Sequence, residues 1–148
     1  MNTASEKELF HANLRNTPRS VFVSVGSAAT LACLVIVRIL WTYHQAGKPI
    51  TRGLMYSALI ALFIFSNALS LLTKSKIGYI LVMVAALAPA MGSLALSLHF
   101  LTILLIGKFM HDQIGLITSL IGLLQFTVIL TLLASLMRKE AREWIWKP

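Results

Sequence analysis

Residues 77–107 form a run of 31 residues without one Asp, Glu, Lys or Arg. Eighteen or more consecutive apolar residues mark a membrane span, and no helix in water needs such a run. As one helix the run reaches about 46 Å at 1.5 Å per residue, against a hydrocarbon core of roughly 30 Å. It is too long for one upright span and too short for two. Pro89 and His99 lie inside it. A chain that contains this run has to solve a membrane problem first.

Three further uncharged runs accompany it. Residues 21–37 carry no charge and lead through Arg38 to Trp41 and Tyr43, aromatics suited to the membrane–water interface. Arg38 lies about one turn inside them and is expected to snorkel outward. Residues 53–73 and 113–137 are also free of charge. The spacing predicts an all-α, polytopic membrane protein, a four-transmembrane-helix bundle with spans at about 20–43, 53–73, 77–107 and 113–137. Only 12% of the 148 residues are charged, where a soluble domain carries about 25%.

Residues 1–19 read as a polar segment. Ser5 and Glu8 fit a capping box ahead of a short surface helix. Thr17-Pro18 reads as a helix start, since proline suits the first helical position. The segment ahead of the first run is too long for a cleaved signal peptide, and no small-residue cleavage site closes that run. Four spans put both termini and the 74–76 turn on one side. That side holds Lys7, Arg15, Arg19, Lys74, Lys76, Arg138, Lys139, Arg142 and Lys147; the other holds Arg38, Lys48, Arg52 and Lys108. By the positive-inside rule both termini are expected to be cytoplasmic, in an inner membrane. Basic residues gathered at the ends of apolar runs speak for topology and contact with membrane lipids, not for nucleic acid.

Small residues recur at helical spacing: Gly26 with Thr30, Ala86 with Ala90 around Pro89 and Gly92, and Gly115 with Ser119 and Gly122. Such rows let helix backbones approach closely in lipid. The poverty of side-chain bulk across residues 86–93 marks the expected packing centre, with a kink at the proline and an outer extension through Lys108. Asn67, His99 and Gln125 are polar at membrane depth, and Asn67 and Gln125 are near enough in depth to bond if their spans touch. The 138–148 tail pairs Lys139, Glu143 and Lys147 at i,i+4. It carries Arg138, Arg142, Trp144 and Trp146, a composition suited to headgroups or to a soluble partner.

No catalytic constellation is visible. The five acidic residues are Glu6, Glu8, Asp112, Glu140 and Glu143, none within a span, so the intramembrane carboxylate of a proton-coupled carrier is missing. His111-Asp112 lacks a third partner. Cys33 is the only cysteine, and no second histidine shares the depth of His99, so no metal or haem cofactor is expected. The plan of four spans with bare loops occurs in small bacterial inner-membrane proteins of several kinds, including bacteriocin immunity proteins, membrane subunits of anti-phage systems and holin-like proteins. That likeness is architectural and has no motif behind it. The first expectation is a non-enzymatic subunit that self-associates and engages a cytoplasmic protein through its basic tails. The alternatives are a small homo-oligomeric channel and an immunity protein against a pore-forming toxin.

Overall fold

The computed structural model describes residues 15–46, 52–106 and 113–147. All regular structure among them is helical. Four helices are long and apolar enough to cross a membrane: α1 (Arg19–Ala46), α2 (Arg52–Ser70), α3 (Lys76–Ile106) and α4 (Gln113–Met137). A fifth, α5 (Lys139–Trp146), follows the last span. The protein is a multi-pass membrane protein built as a four-helix bundle. The expected surface helix near Ser5 and Glu8, the outer extension through Lys108 and the His111-Asp112 pair lie outside the described residues.

The helices form a ring. α4 packs against both α1 and α3, and these are the two most extensive interfaces; α2 closes the ring against α1 and α3. α1 and α3 stand at opposite corners, as do α2 and α4. The fully buried side chains, among them Leu31, Ile64, Leu71, Val82, Ile129, Leu132 and Leu136, belong to one cluster. Its residues recur every three or four positions on each helix, as a bundle-facing stripe requires.

Local chemistry sets the helix ends. Pro18 stands just before α1, and its carbonyl accepts from the Val21 and Phe22 N–H groups at 3.0 and 3.4 Å. α2 tightens into a 3-10 turn, Leu71–Thr73. Lys74 then adopts the left-handed conformation, with φ 58, and its N–H closes on the Leu71 carbonyl at 3.1 Å. Such a conformation costs a side-chain-bearing residue about 1 kcal/mol. Ser75 restarts the chain: its hydroxyl accepts from the Gly78 N–H at 3.0 Å and satisfies a free donor of α3. The turn is as tight as its three-residue length implied.

α3 runs unbroken through Pro89 as a single helix of 31 residues. The expected packing centre at residues 86–93 needs correction. Ala86 and Ser93 are buried, but Leu87 is 58% and Met91 71% exposed. Only one edge of that segment meets the bundle, because a helix two neighbours wide cannot bury its whole circumference. The centre lies in α4, which buries Ser119, Ile121, Gly122, Gln125, Ile129, Leu132, Ser135 and Leu136.

Two side-chain bonds tie the spans across the core. The Tyr79 hydroxyl of α3 donates to the Leu136 carbonyl at 3.2 Å. The Ser24 and Ser135 hydroxyls of α1 and α4 lie 2.7 Å apart. Each also reaches a carbonyl of its own helix, Ser20 and Leu132. Two hydroxyl protons thus serve three contacts, so one is shared. Replacing Ser24 by alanine is expected to lower stability by only about 0.6 kcal/mol, the average for such bonds in membranes. Unfolding of the purified chain in mixed detergent measures this, and a loss above about 2 kcal/mol would mean the pair is much more than register-setting.

Candidate functional site

Two features have the composition of sites: a cavity between the spans and the basic end of the bundle.

The cavity lies where all four spans converge and has a volume of about 140 Å³. α1 contributes Leu31, Val35 and Arg38, at i, i+4 and i+7 on its inner stripe. α2 contributes Leu54, Ser57, Ile60 and Ala61; α3 contributes Ala88, Pro89, Gly92 and Ser93; α4 contributes Gln125 and Ile129. Most of this wall is apolar. Gln125 is only 4% exposed, and its Nε2 has no hydrogen-bond partner. An unpaired amide in such surroundings costs about 1–3 kcal/mol. The Arg38 Nε is also buried and unpartnered, as is the nearby Trp41 Nε1. Among the described residues the ion pairs are Lys139–Glu143 and Lys147–Glu143, and Arg38 has no carboxylate partner. Ser93, by contrast, is satisfied by the Pro89 carbonyl at 2.7 Å and that of Ala90 at 3.1 Å.

Chemically the cavity offers an arginine fork, one amide donor and an apolar body. It has no carboxylate, thiol or imidazole for acid–base or nucleophilic work. No group of three metal-ligating side chains occurs among the described residues.

The intramembrane polar residues expected from sequence do not converge. Asn67 and Gln125 belong to helices at opposite corners, and the Asn67 Nδ2 donates to the Phe63 carbonyl of its own helix at 2.8 Å. Their expected pairing is therefore corrected: Gln125 is level with Ser57, Ile60 and Ala61 of α2, about two turns away from Asn67. His99 is exposed on the far side of α3 from Ser97. Gly26 and Thr30 also face outward, with the Thr30 hydroxyl folded onto the Gly26 carbonyl at 2.9 Å. Within one chain this row packs on nothing. Ala90 and Pro89 are half-buried, and Gly92 opens onto the cavity. Gly115 is half-buried and Ser119 buried. Gly122 lies directly against Leu96 of α3.

The sequence marks Arg38 as a snorkelling interfacial residue, whereas the structure places it at the cavity. The available cue was its place on the Leu31–Val35 row. That row cannot be told from a lipid-facing one while both faces are apolar. Gly78 was also missed; a Cβ there would overlap the Ser70 hydroxyl and come 3.1 Å from the Asn67 carbonyl.

At the basic end the chain turns at Arg138, whose extended backbone (ψ 143) ends α4. α5 then folds back under the bundle. Ala141 and Ile145 are buried in the core cluster, at 0% and 1% exposure. The half-buried Trp144 donates its indole N–H to the Leu71 carbonyl at 3.3 Å. Lys74 lies over the Trp144 ring at 4.6 Å and Lys76 over Trp146 at 5.3 Å. Two tryptophans read from sequence as anchors or contacts are thus engaged by the turn between α2 and α3. Arg138, Lys139, Arg142, Trp146 and Lys147 remain exposed.

No protein-family model matches the chain, and neither the curated proteins nor the solved structures yielded a match.

Proposed function

We propose that the chain is a non-enzymatic subunit of an inner membrane that presents a rigid basic face to a protein partner in the cytoplasm. The observation that carries this reading is the docking of α5. Its apolar side is spent on the bundle, and its Arg138, Lys139, Arg142 and Lys147 are held facing outward. A preformed helix loses little conformational freedom on binding, which favours recognition. The same end carries Arg15, Arg19, Lys74 and Lys76 against only Glu140 and Glu143 among the described residues. That imbalance supports cytoplasmic termini. Self-association is part of the proposal. It would use outward rows such as Gly26/Thr30, which small residues keep open to a second helix. A lumen formed inside one chain draws no support from Asn67, His99 and Gln125, since their surroundings differ.

A photo-crosslinking residue at Arg142, activated in intact membranes of the native host, tests this reading. The expected product is one discrete protein adduct that is absent when Arg138, Lys139 and Lys147 are replaced by glutamate. Adducts with lipid alone would overturn the partner reading. Native mass spectrometry of the same preparation is expected to show more than one copy of the chain; a strict monomer would overturn self-association.

A further inference from the structure

The basic face leaves the cavity unexplained. A buried guanidinium Nε and a buried amide, neither with a hydrogen-bond partner, are both costly. They make sense together if something they bind is acidic and carries a hydrogen-bond acceptor. We infer that the cavity is a binding site for an anionic phospholipid of the bilayer. Its phosphate is held by Arg38, an ester carbonyl accepts from Gln125, and one acyl chain lies between α2 and α3.

Three observations carry this. Arg38 lies eight residues before the end of α1, roughly 12 Å in from that end at 1.5 Å per residue. Arg19 stands at the other end of α1, and Arg38 follows it by 19 residues, about 29 Å by the same rise, so a roughly 30 Å hydrocarbon core that begins at Arg19 ends near Arg38, where headgroups begin. A phosphate there needs no displacement from its ordinary depth, and a planar guanidinium matches its oxygens in a bidentate fork. Gln125 is twelve residues from either end of α4. It therefore lies deeper than Arg38, in the order phosphate then carbonyl that a glycerophospholipid presents.

The third observation is an apolar groove on the bundle surface between α2 and α3, lined by Leu59, Ile60, Phe63, Ala85 and Ala88. It shares Ile60 and Ala88 with the cavity. The two adjoin at these residues, and in the inferred site the chain of a headgroup held in the cavity leaves past them to the bilayer. The cavity alone is about the size that holds one benzene ring; it suits a headgroup and its first carbons, not a whole lipid. Gly92 lines the cavity one turn from Ala88, and a Cβ there would meet nothing within 4 Å.

The test uses the full chain in vesicles of equal parts phosphatidylglycerol and phosphatidylcholine. The protein is extracted in mild detergent, and the retained lipid is identified by native mass spectrometry. Phosphatidylglycerol is expected to be enriched by about tenfold, the scale of one charge-assisted hydrogen-bond pair. Arg38→Gln is expected to abolish the enrichment. Gly92→Leu, which puts bulk at the cavity wall without touching any charge, is expected to abolish retention of either lipid and keeps the idea falsifiable if the first variant misfolds. The double variant Lys139→Gln, Arg142→Gln controls for loose attraction at the basic end and is expected to retain the enrichment. Equal retention of the two lipids, enrichment that survives both cavity variants, or enrichment lost only with the basic-end control would each overturn the site. Displacement by inorganic phosphate would overturn the lipid in favour of a free anion.

Discussion

Replacing Gly122 by leucine is expected to destabilise the bundle by about 3 kcal/mol, at the upper end of what overpacking costs. A Cβ on Gly122 would overlap the Leu96 Cβ and stand 2.9 Å from its Cδ1. Cβ is fixed to the backbone, so rotating the Leu96 side chain does not clear the overlap. The α3–α4 interface must open instead, and it is one of the two most extensive in the molecule. Without a hydrophobic drive between helices in lipid, close packing is most of what holds them. Reversible unfolding in mixed detergent measures the loss. Gly122→Ala is expected to show the same fault in smaller size, and Leu96→Gly in the alanine background, which removes the overlapping Cβ, is expected to recover part of it. A Gly122→Leu variant within 0.5 kcal/mol of the parent, the ordinary range for harmless surface changes, would mean that the two helices do not approach as described.

The second large effect is expected at Ile145, which is 1% exposed where α5 meets the core. Ile145→Asp puts a carboxylate into that contact. Truncation of a buried isoleucine alone costs about 2–5 kcal/mol, and a buried unpaired charge costs more. The molecule can avoid the full penalty by releasing α5. The bundle should survive, while amide protection across residues 141–146 falls by about a hundredfold or more, equivalent to roughly 3 kcal/mol of local opening. Tryptophan emission should shift to the red as Trp144 leaves the Leu71 carbonyl; Trp41→Phe with Trp146→Phe removes the background. Unchanged protection would show that α5 is held by its charges and not by Ile145. The two ion pairs make that outcome hard to sustain, since both are exposed i,i+4 pairs at 3.9 and 3.2 Å, and such pairs contribute about 0.3–0.5 kcal/mol.

Element boundaries were legible from sequence for a simple reason. Charge is so costly in a bilayer that uncharged runs map directly onto spans. The helix over residues 76–106 differs by a single residue at each end from the expected run. Rotational setting was not legible. In α3 and α4 both faces are apolar, so hydrophobic periodicity cannot say which side meets protein. That is why the row that holds Gly115, Ser119 and Gly122 does not itself say that Gly122 ends against Leu96. It is also why the cavity was missed. Arg38, Gln125 and Ser93 come from three helices, and only the ring order brings them together. The tail was half legible. The i,i+4 charges and tryptophans mark α5 as a helix, but nothing local to it names the Leu71 carbonyl or the Lys74 and Lys76 side chains as its seat.

The ring order carries a consequence for assembly. Ser24 and Ser135 are 111 residues apart in sequence and in contact in space, and α4 supplies the largest interface of both α1 and α3. The first span therefore enters the membrane long before its main neighbour exists. Until α4 arrives, Ser24 and Arg38 must face lipid or a helper, and three inserted helices hold only the weaker α2 contacts. Commitment to the native arrangement comes late and in one step. Substitutions on the inner face of α4 should thus be felt first as slow or failed insertion, and only afterwards as lost stability in whatever chain does assemble.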